Sequence, residues 1–145
     1  MKTKSDFPDL NKKPPLGLKP DGTFYKVLII DDSMFVIKQL TQILTSEKFE
    51  VSGSATNGVD GFEKYKELSP QVDIVTLDIP MQKMDGIATL EKILDFDSKA
   101  TVVMVSALGK ENLVKEAIML GAKNYIIKPI DRSKVLERIA KILNK

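Results

Sequence analysis

Five polar side chains each stand at the end of a short apolar stretch of the chain: Asp31, Asp32, Asp78, Ser106 and Lys128. Carboxylates that lie together repel one another, and one of them would ordinarily take up a proton. A divalent cation removes that conflict, and Mg²⁺ suits a few carboxylates combined with water and a phosphate. A lysine adds a point charge that can hold an anion, and a hydroxyl can donate to a phosphoryl oxygen. These residue types together indicate phosphoryl transfer onto an aspartate.

Asp78 is the candidate nucleophile. It ends the run of residues 72–78, which is apolar enough to be a strand buried on both faces. A carboxylate at the end of such a strand costs desolvation free energy unless another group pairs with it. Ligands of open parallel α/β sheets also bind at the carboxyl ends of the strands. We therefore expect Asp78 to react and the other four residues to serve it.

Each residue also has an ordinary structural explanation. Residues 31–33, Asp-Asp-Ser, fit the start of a helix, where acids and serine are favoured. Ser106 fits a turn, and a lysine such as Lys128 is usually a solvated surface residue. Asp78 by itself fits the cap of a turn. The conjunction favours the site, because in a parallel sheet all these strand ends share one edge.

The elements that must position these residues alternate five times between strand and helix. Strands are predicted at residues 27–30, 51–55, 72–78, 101–105 and 125–127. The segments between and after them carry apolar residues at helical spacing, and Asn57, Gly121 and Asp131 supply turn or cap residues. This alternation predicts a doubly wound α/β fold with a five-stranded parallel sheet and helices on both faces.

Composition narrows the chemistry. The 145 residues fit one domain and contain neither cysteine nor histidine. These absences exclude disulfides, thiolate or histidine metal sites, Ser-His-Asp catalysis and a phosphohistidine within this chain. A metal would need oxygen ligands, which favours Mg²⁺, Ca²⁺ or Mn²⁺. We find neither a secretory signal nor an apolar run of about 20 residues, and expect a cytoplasmic protein without a membrane partner.

The chain divides near residue 24. Residues 1–24 are rich in proline and glycine, and we expect a flexible N-terminal extension. This extension holds five of the 22 basic and three of the 20 acidic residues, so residues 25–145 hold 17 of each. A neutral domain gives no electrostatic reason to expect a nucleic-acid partner.

Residues 25–145 resemble the receiver domains of bacterial two-component response regulators, and most closely the single-domain chemotaxis regulators of the CheY type. The resemblance rests on Val-Leu-Ile-Ile-Asp-Asp-Ser at 27–33, Leu-Asp-Ile at 77–79, Met-Asp-Gly at 84–86, Ser-Ala at 106–107, Gly-Ala-Lys at 121–123 and Lys-Pro at 128–129. It implies a flavodoxin-like fold with strand order 2-1-3-4-5. That order, for which CheY is itself a standard example, comes from the resemblance and not from the hydrophobic pattern.

The resemblance also implies a role for each candidate residue. Asp78 would be the phosphoacceptor, and Mg²⁺ would be held by Asp31, Asp32, Asp78 and the backbone carbonyl of Pro80. No separate organic cofactor is implied.

The remaining candidates respond to the phosphoryl group. Ser106 would donate a hydrogen bond to it and Lys128 would pair with it. Tyr125 matches an aromatic switch that turns inward when Ser106 moves. An aromatic residue on an edge strand is the structural alternative for Tyr125.

The resemblance implies a signalling module, with weak Mg²⁺-dependent self-phosphorylation and self-dephosphorylation. Because the chain has no histidine, the phosphoryl donor must be another protein, and we expect a sensor histidine kinase. We expect no effector domain after Lys145, and therefore expect the domain's own surface to bind the target. The implied target is the flagellar motor switch protein, a phosphatase is a further candidate partner, and we expect a monomer.

Two alternative functions also use an aspartate that accepts a phosphoryl group. A phosphorelay intermediate would pass the phosphoryl group to a histidine of a downstream protein, and the sequence leaves this alternative open. A Mg²⁺-dependent phosphatase with an aspartate nucleophile would need an Asp-x-Asp motif after the first strand. Residues 31–33 are Asp-Asp-Ser, which disfavours the phosphatase.

Overall fold

The sheet is built from five parallel strands in the order β2-β1-β3-β4-β5, in a computed structural model that describes residues 13–81 and 83–145. The strands are β1 (Lys26–Ile30), β2 (Glu50–Ala55), β3 (Ile74–Asp78), β4 (Val102–Ala107) and β5 (Asn124–Lys128). The helices are α1 (Met34–Ser46), α2 (Gly58–Leu68), α3 (Gly86–Phe96), α4 (Glu111–Leu120) and α5 (Arg132–Ile142). The predicted fold class and strand order are confirmed.

Strand β3 lies at the centre of the sheet and every one of its residues is buried. Its side chains alternate between the two faces: Val75 and Leu77 join one apolar cluster, and Ile74 joins the other. Burial of a side chain of this size stabilises the fold by roughly 1.5–3 kcal/mol. The apolar run that predicted this strand therefore reflects two packed faces, and it places Asp78 at the carboxyl end of the core.

Four helices begin at a residue whose side chain accepts a hydrogen bond from the first turn. These residues are Ser33, Asn57, Asp85 and Asp131. Such a cap typically contributes about 1 kcal/mol. The helix-start explanation considered for residues 31–33 therefore holds for Ser33, which caps α1, and does not conflict with a chemical role for the two aspartates.

Strands β4 and β5 extend further than predicted. Ser106 and Lys128 lie inside them, because the parallel ladder continues through the pairs Ser106–Ile127 and Ala107–Lys128. Backbone pairing depends on the neighbouring strand, so a polar side chain does not end it. Each side chain consequently has a face of the sheet fixed by alternation.

Residues 16–24 contact the amino-terminal edge of the sheet. The N–H of Gly17 donates to the carbonyl of Glu47 at 2.8 Å, and Lys19 forms a salt bridge with Asp73 at 3.1 Å. Asp73 also accepts a 2.7 Å hydrogen bond from the N–H of Lys26. The flexibility expected of residues 1–24 stays a prediction, and the first twelve residues of this segment lie outside the described part of the chain.

Among the described helices, none is long and apolar enough to cross a membrane.

Candidate functional site

Three carboxylates converge at the carboxyl edge of the sheet. Asp31, Asp32 and Asp78 each offer an oxygen within 4.8 Å of the others. Asp31 directly follows β1 and Asp78 ends β3, and these strands are paired neighbours. Asp31 and Asp78 are each only 1% exposed, whereas Asp32 is exposed. The convergence predicted from the strand ends is therefore present for all three acids.

Lys128 reaches the same cluster from the edge strand β5. Its Nζ lies 3.3 Å from Oδ2 of Asp31 and 3.3 Å from Oδ1 of Asp78. The lysine is partly buried and spans the width of β4 to make these contacts. Lys128 is thus a paired lysine of the site, and its explanation as a solvated surface residue fails.

The electrostatics of the cluster make Asp78 unusual. The pKa of Asp78 is raised to about 7, chiefly by burial and further by the carboxylate of Asp31, while Lys128 opposes the rise. Burial likewise raises the pKa of Asp31, against the N–H of Ser33 and the charge of Lys128. Burial alone would lower the pKa of Lys128, but the carboxylates of Asp78 and Asp31 outweigh it and raise that pKa. One lysine does not fully compensate two buried carboxylates.

The free energy of unfolding of the metal-free protein is expected to fall as the pH rises from about 4 to about 7. The pKa of Asp78 is about 7 in the folded protein against an ordinary value of 3.8. Within that window the folded protein holds a proton that the unfolded chain releases, so the stabilisation is complete below pH 3.8 and is lost as the pH passes 7. The slope from one proton is at most about 1.4 kcal/mol per pH unit.

Urea unfolding in the presence of a chelator, repeated across this pH range, measures the slope. Asp78→Asn serves as the reference, because it removes the titrating group and leaves the other carboxylates in place. The wild-type curve should fall relative to the variant curve as the pH rises. Parallel curves would contradict the raised pKa of Asp78.

Oδ2 of Asp78 is buried and has no hydrogen-bond partner among the described residues, and Oδ2 of Asp31 has the ion-pair contact with Lys128 but no hydrogen bond of good geometry. An unsatisfied buried polar group typically costs about 1–3 kcal/mol. A hard divalent cation fits this set, since it prefers oxygen ligands and would neutralise the crowded charges. The cluster is therefore an acidic pocket suited to such an ion.

Ser106 and Pro80 lie near the cluster without joining it. Ser106 is fully buried on β4, and its hydroxyl donates to the carbonyl of Ala107 at 3.3 Å. Asp78 is paired with Val105, so alternation turns Ser106 toward the opposite face of the sheet. Pro80 is exposed in the loop that follows β3. The roles assigned to Ser106 and Pro80 stay predictions.

Tyr125 lies on β5 beside Met104 of β4 and is partly buried against the apolar cluster on that face. It lines a cleft of about 490 Å³ whose other wall is α4, with Val114 and Ile118 among the lining residues. Arg138 of α5 also contacts the ring, with its Cζ 4.4 Å from the ring centroid. No sequence pattern pointed to this arginine, because a pairing between an edge strand and a later helix has no fixed spacing.

Gly86, the last residue of the Met-Asp-Gly motif, fixes the main chain at the site. A Cβ at this position would overlap the carbonyl oxygen of Asp78 and the Cα of Ile79. The N–H of Gly86 donates to the carbonyl of Ile79 at 2.7 Å. The glycine thus lets the start of α3 close directly onto the strand end that carries Asp78.

The family model of the response regulator receiver domain matches residues 27–140. The chain belongs to the response regulator receiver domain family. The predicted resemblance is thereby confirmed, and the receiver's acidic pocket lies where the sequence placed it.

Chemotaxis proteins named CheY are among the similar proteins. A chemotaxis protein CheY of Treponema pallidum is 64% identical over 143 residues, which is 99% of this chain and 99% of that protein. The CheY of Bacillus subtilis is 45% identical over 120 residues, covering 83% of this chain and 98% of its own length. The predicted function as a chemotaxis-type response regulator of a two-component system is confirmed at this level.

A solved structure from Borrelia burgdorferi is also similar to this receiver. It is a complex of CheX and CheY with beryllofluoride and Mg²⁺, and the matched chain aligns with a TM-score of 0.88 and 51% identity. The alignment covers 92% of this chain and all of that one.

Proposed function

We propose that this receiver accepts a phosphoryl group on Asp78 from the phosphohistidine of a sensor histidine kinase. The observation that supports the proposal is the placement of Asp78: its buried carboxylate meets Asp31 and Lys128 at the edge where strand ends bind ligands. Residues 25–145 form the receiver in this proposal, and residues 1–24 are a segment outside its core.

The chemistry is a transfer between two nucleophiles. A carboxylate oxygen of Asp78 forms a bond to phosphorus while the bond from phosphorus to the donor's imidazole nitrogen breaks. The electron pair of the broken bond stays on the imidazole, which takes up a proton from solvent. The raised pKa of Asp78 keeps part of the metal-free population protonated. The positive charges in the pocket therefore determine the fraction of Asp78 that is ionised and able to attack phosphorus.

Mg²⁺ is the cation we assign to the pocket. Asp31, Asp32 and Asp78 would hold it, with the backbone carbonyl of Pro80 as a further ligand. When bound, it would neutralise the carboxylates and the phosphoryl oxygens. Lys128 already lies 3.3 Å from Asp78 and would place its ammonium group against a phosphoryl oxygen.

The phosphoryl group then acts on the surface formed by α4, β5 and α5. It offers new charge-assisted contacts to the hydroxyl of Ser106, which in this structure donates to the carbonyl of Ala107. Movement of Ser106 makes room beside α4, and Tyr125 turns into the cleft that it lines. A target that prefers one of the two arrangements shifts the balance by its differential affinity, typically about 5- to 150-fold.

Ser106→Ala is expected to separate phosphorylation from this surface change. Beryllofluoride with Mg²⁺ should shift the NMR resonances of Tyr125 and α4 in the wild-type protein. In the variant, acetyl phosphate should still label Asp78, but the Tyr125 and α4 resonances should respond weakly, because the hydroxyl that links the phosphoryl group to β4 is gone.

Ser133→Ala is a suitable control, since it removes an exposed hydroxyl from the first turn of α5. It should leave both the labelling and the resonance shifts intact. Wild-type shifts confined to the loops around Asp78 would contradict the binding-module function, and would favour a phosphorelay intermediate instead.

The partners follow from the same assignment. We propose the flagellar motor switch protein as the target of the phosphorylated receiver, a partner phosphatase that removes the phosphoryl group, and the cytoplasm as the location. A CheX-like protein is the candidate phosphatase, since the related Borrelia CheY was solved in complex with CheX. Pull-down with beryllofluoride-treated protein, compared with Asp78→Asn, tests these partners.

A further inference from the structure

One guanidinium group holds Tyr125 by two separate contacts. The Cζ of Arg138 lies 4.4 Å from the centroid of the tyrosine ring, and its Nη2 lies 3.4 Å from the phenolic oxygen. Arg138 belongs to α5, and Tyr125 belongs to β5, which is the edge strand of the sheet. The side chain of Arg138 therefore extends from α5 to the edge of the sheet and covers the ring of Tyr125.

The contact suits an arginine. A planar guanidinium stacks on an aromatic face while one of its N–H groups remains free to donate to the hydroxyl. The salt bridges found within residues 13–81 and 83–145 do not include Arg138. Among the described residues, Tyr125 provides both the hydrogen-bond contact and the aromatic contact of this guanidinium.

The ring also borders open space whose lining residues do not include Arg138. Tyr125 lines the cleft of about 490 Å³ between β5 and α4, whose apolar wall includes Val114, Ile118 and Ile127. A ring that turned into this cleft would gain apolar contacts there. The same rotation would carry the ring away from α5, so both contacts with Arg138 would be lost together.

We propose that Arg138 is a positioning residue that holds Tyr125 in its resting arrangement. This inference rests on the proposed function, in which the inward arrangement of Tyr125 belongs to the phosphorylated state. The guanidinium stabilises only the outer arrangement, so it biases the resting equilibrium against activation. A cation–π contact at a partly exposed site shifts such an equilibrium by roughly 2- to 5-fold.

Linkage adds a second consequence at the phosphorylation site. If Arg138 opposes the inward arrangement, it must also oppose every ligand that favours that arrangement. Loss of the guanidinium should therefore lower the beryllofluoride concentration needed for half-conversion by the same roughly 2- to 5-fold factor. The effect appears at Asp78, although Arg138 contacts no residue of the acidic pocket among the described contacts.

The test compares Arg138→Gln with Lys134→Gln. Lys134 is an exposed cation one turn earlier on α5, so its replacement removes the same charge without touching Tyr125. Glutamine keeps an apolar stem and a good helix propensity in both variants. Fluorine NMR of fluorotyrosine-labelled protein, with Tyr125→Phe to assign the signal, follows the ring during titration with beryllofluoride at saturating Mg²⁺.

Before titration, the Tyr125 signal of Arg138→Gln should already be displaced toward its beryllofluoride-bound position. Its titration midpoint should fall by roughly 2- to 5-fold, while Lys134→Gln should match the wild-type protein. Identical signals and midpoints for the two variants would overturn the inference alone. A wild-type Tyr125 signal that does not respond to beryllofluoride would instead overturn the proposed function, and the inference with it.

Discussion

Asparagine in place of Asp78 is expected to abolish phosphorylation by acetyl phosphate and Mg²⁺. The amide is nearly the same shape as the carboxylate but is a poor nucleophile, and it cannot form an acyl phosphate. The folded protein should become more stable at neutral pH, because the raised pKa shows that the ionised carboxylate is disfavoured in its buried site. Substitutions that relieve such a conflict commonly add about 0.5–2 kcal/mol.

Asp73→Asn is a sharp control for this prediction. Asp73 lies just before the same strand but at its amino-terminal end, where it accepts from the N–H of Lys26. An asparagine oxygen can still accept that bond, so the fold should persist and phosphorylation should proceed. Intact-mass spectrometry of both variants measures the outcome. Substantial labelling of Asp78→Asn would remove Asp78 from its proposed role.

Asp31→Asn is expected to weaken Mg²⁺ binding by at least about 10-fold and to slow phosphorylation accordingly. The substitution removes a charge from the pocket but keeps an oxygen that can accept the 2.9 Å hydrogen bond from the N–H of Ser33. The start of α1 should therefore stay in place. Isothermal titration with Mg²⁺ and the initial rate of labelling by acetyl phosphate measure the two effects.

The same variant should be more stable than the wild-type protein without metal, by on the order of 1 kcal/mol. Burial raises the pKa of Asp31 despite its contact with Lys128, so its ionised form is a net cost in the apo fold. Saturating Mg²⁺ should reverse this order of stability. Asp85→Asn is the matched control, because asparagine caps α3 as well as aspartate does. Equal Mg²⁺ affinity in Asp31→Asn and Asp85→Asn would contradict the proposed metal site.

The shared location of the three carboxylates and Lys128 could be predicted from sequence because it depends only on where the strands end. Parallel strands bring their carboxyl ends to one edge whatever the side chains are, and a long lysine side chain tolerates an error of one residue in its strand. The contact between Lys128 and both buried acids follows from that reach.

For Ser106, the strand ends alone do not determine which way the short side chain points. The prediction placed Ser106 just after β4, whereas the residue lies inside the strand, where alternation fixes the face that its side chain takes. The hydroxyl donates to the carbonyl of Ala107, and its contact with a phosphoryl group stays a prediction. Arg138 could not be predicted at all, since its position over Tyr125 depends on how α5 packs around the sheet edge.

The central claim is that one carboxylate, that of Asp78, carries the phosphoryl group. Borohydride reduces an aspartyl phosphate to homoserine, so peptide mapping after treatment with acetyl phosphate, Mg²⁺ and borohydride identifies the acceptor. We expect homoserine at position 78 alone, and none when a chelator replaces Mg²⁺. Homoserine at position 31 or 32, or phosphate retained on a hydroxyl group after reduction, would contradict the claim.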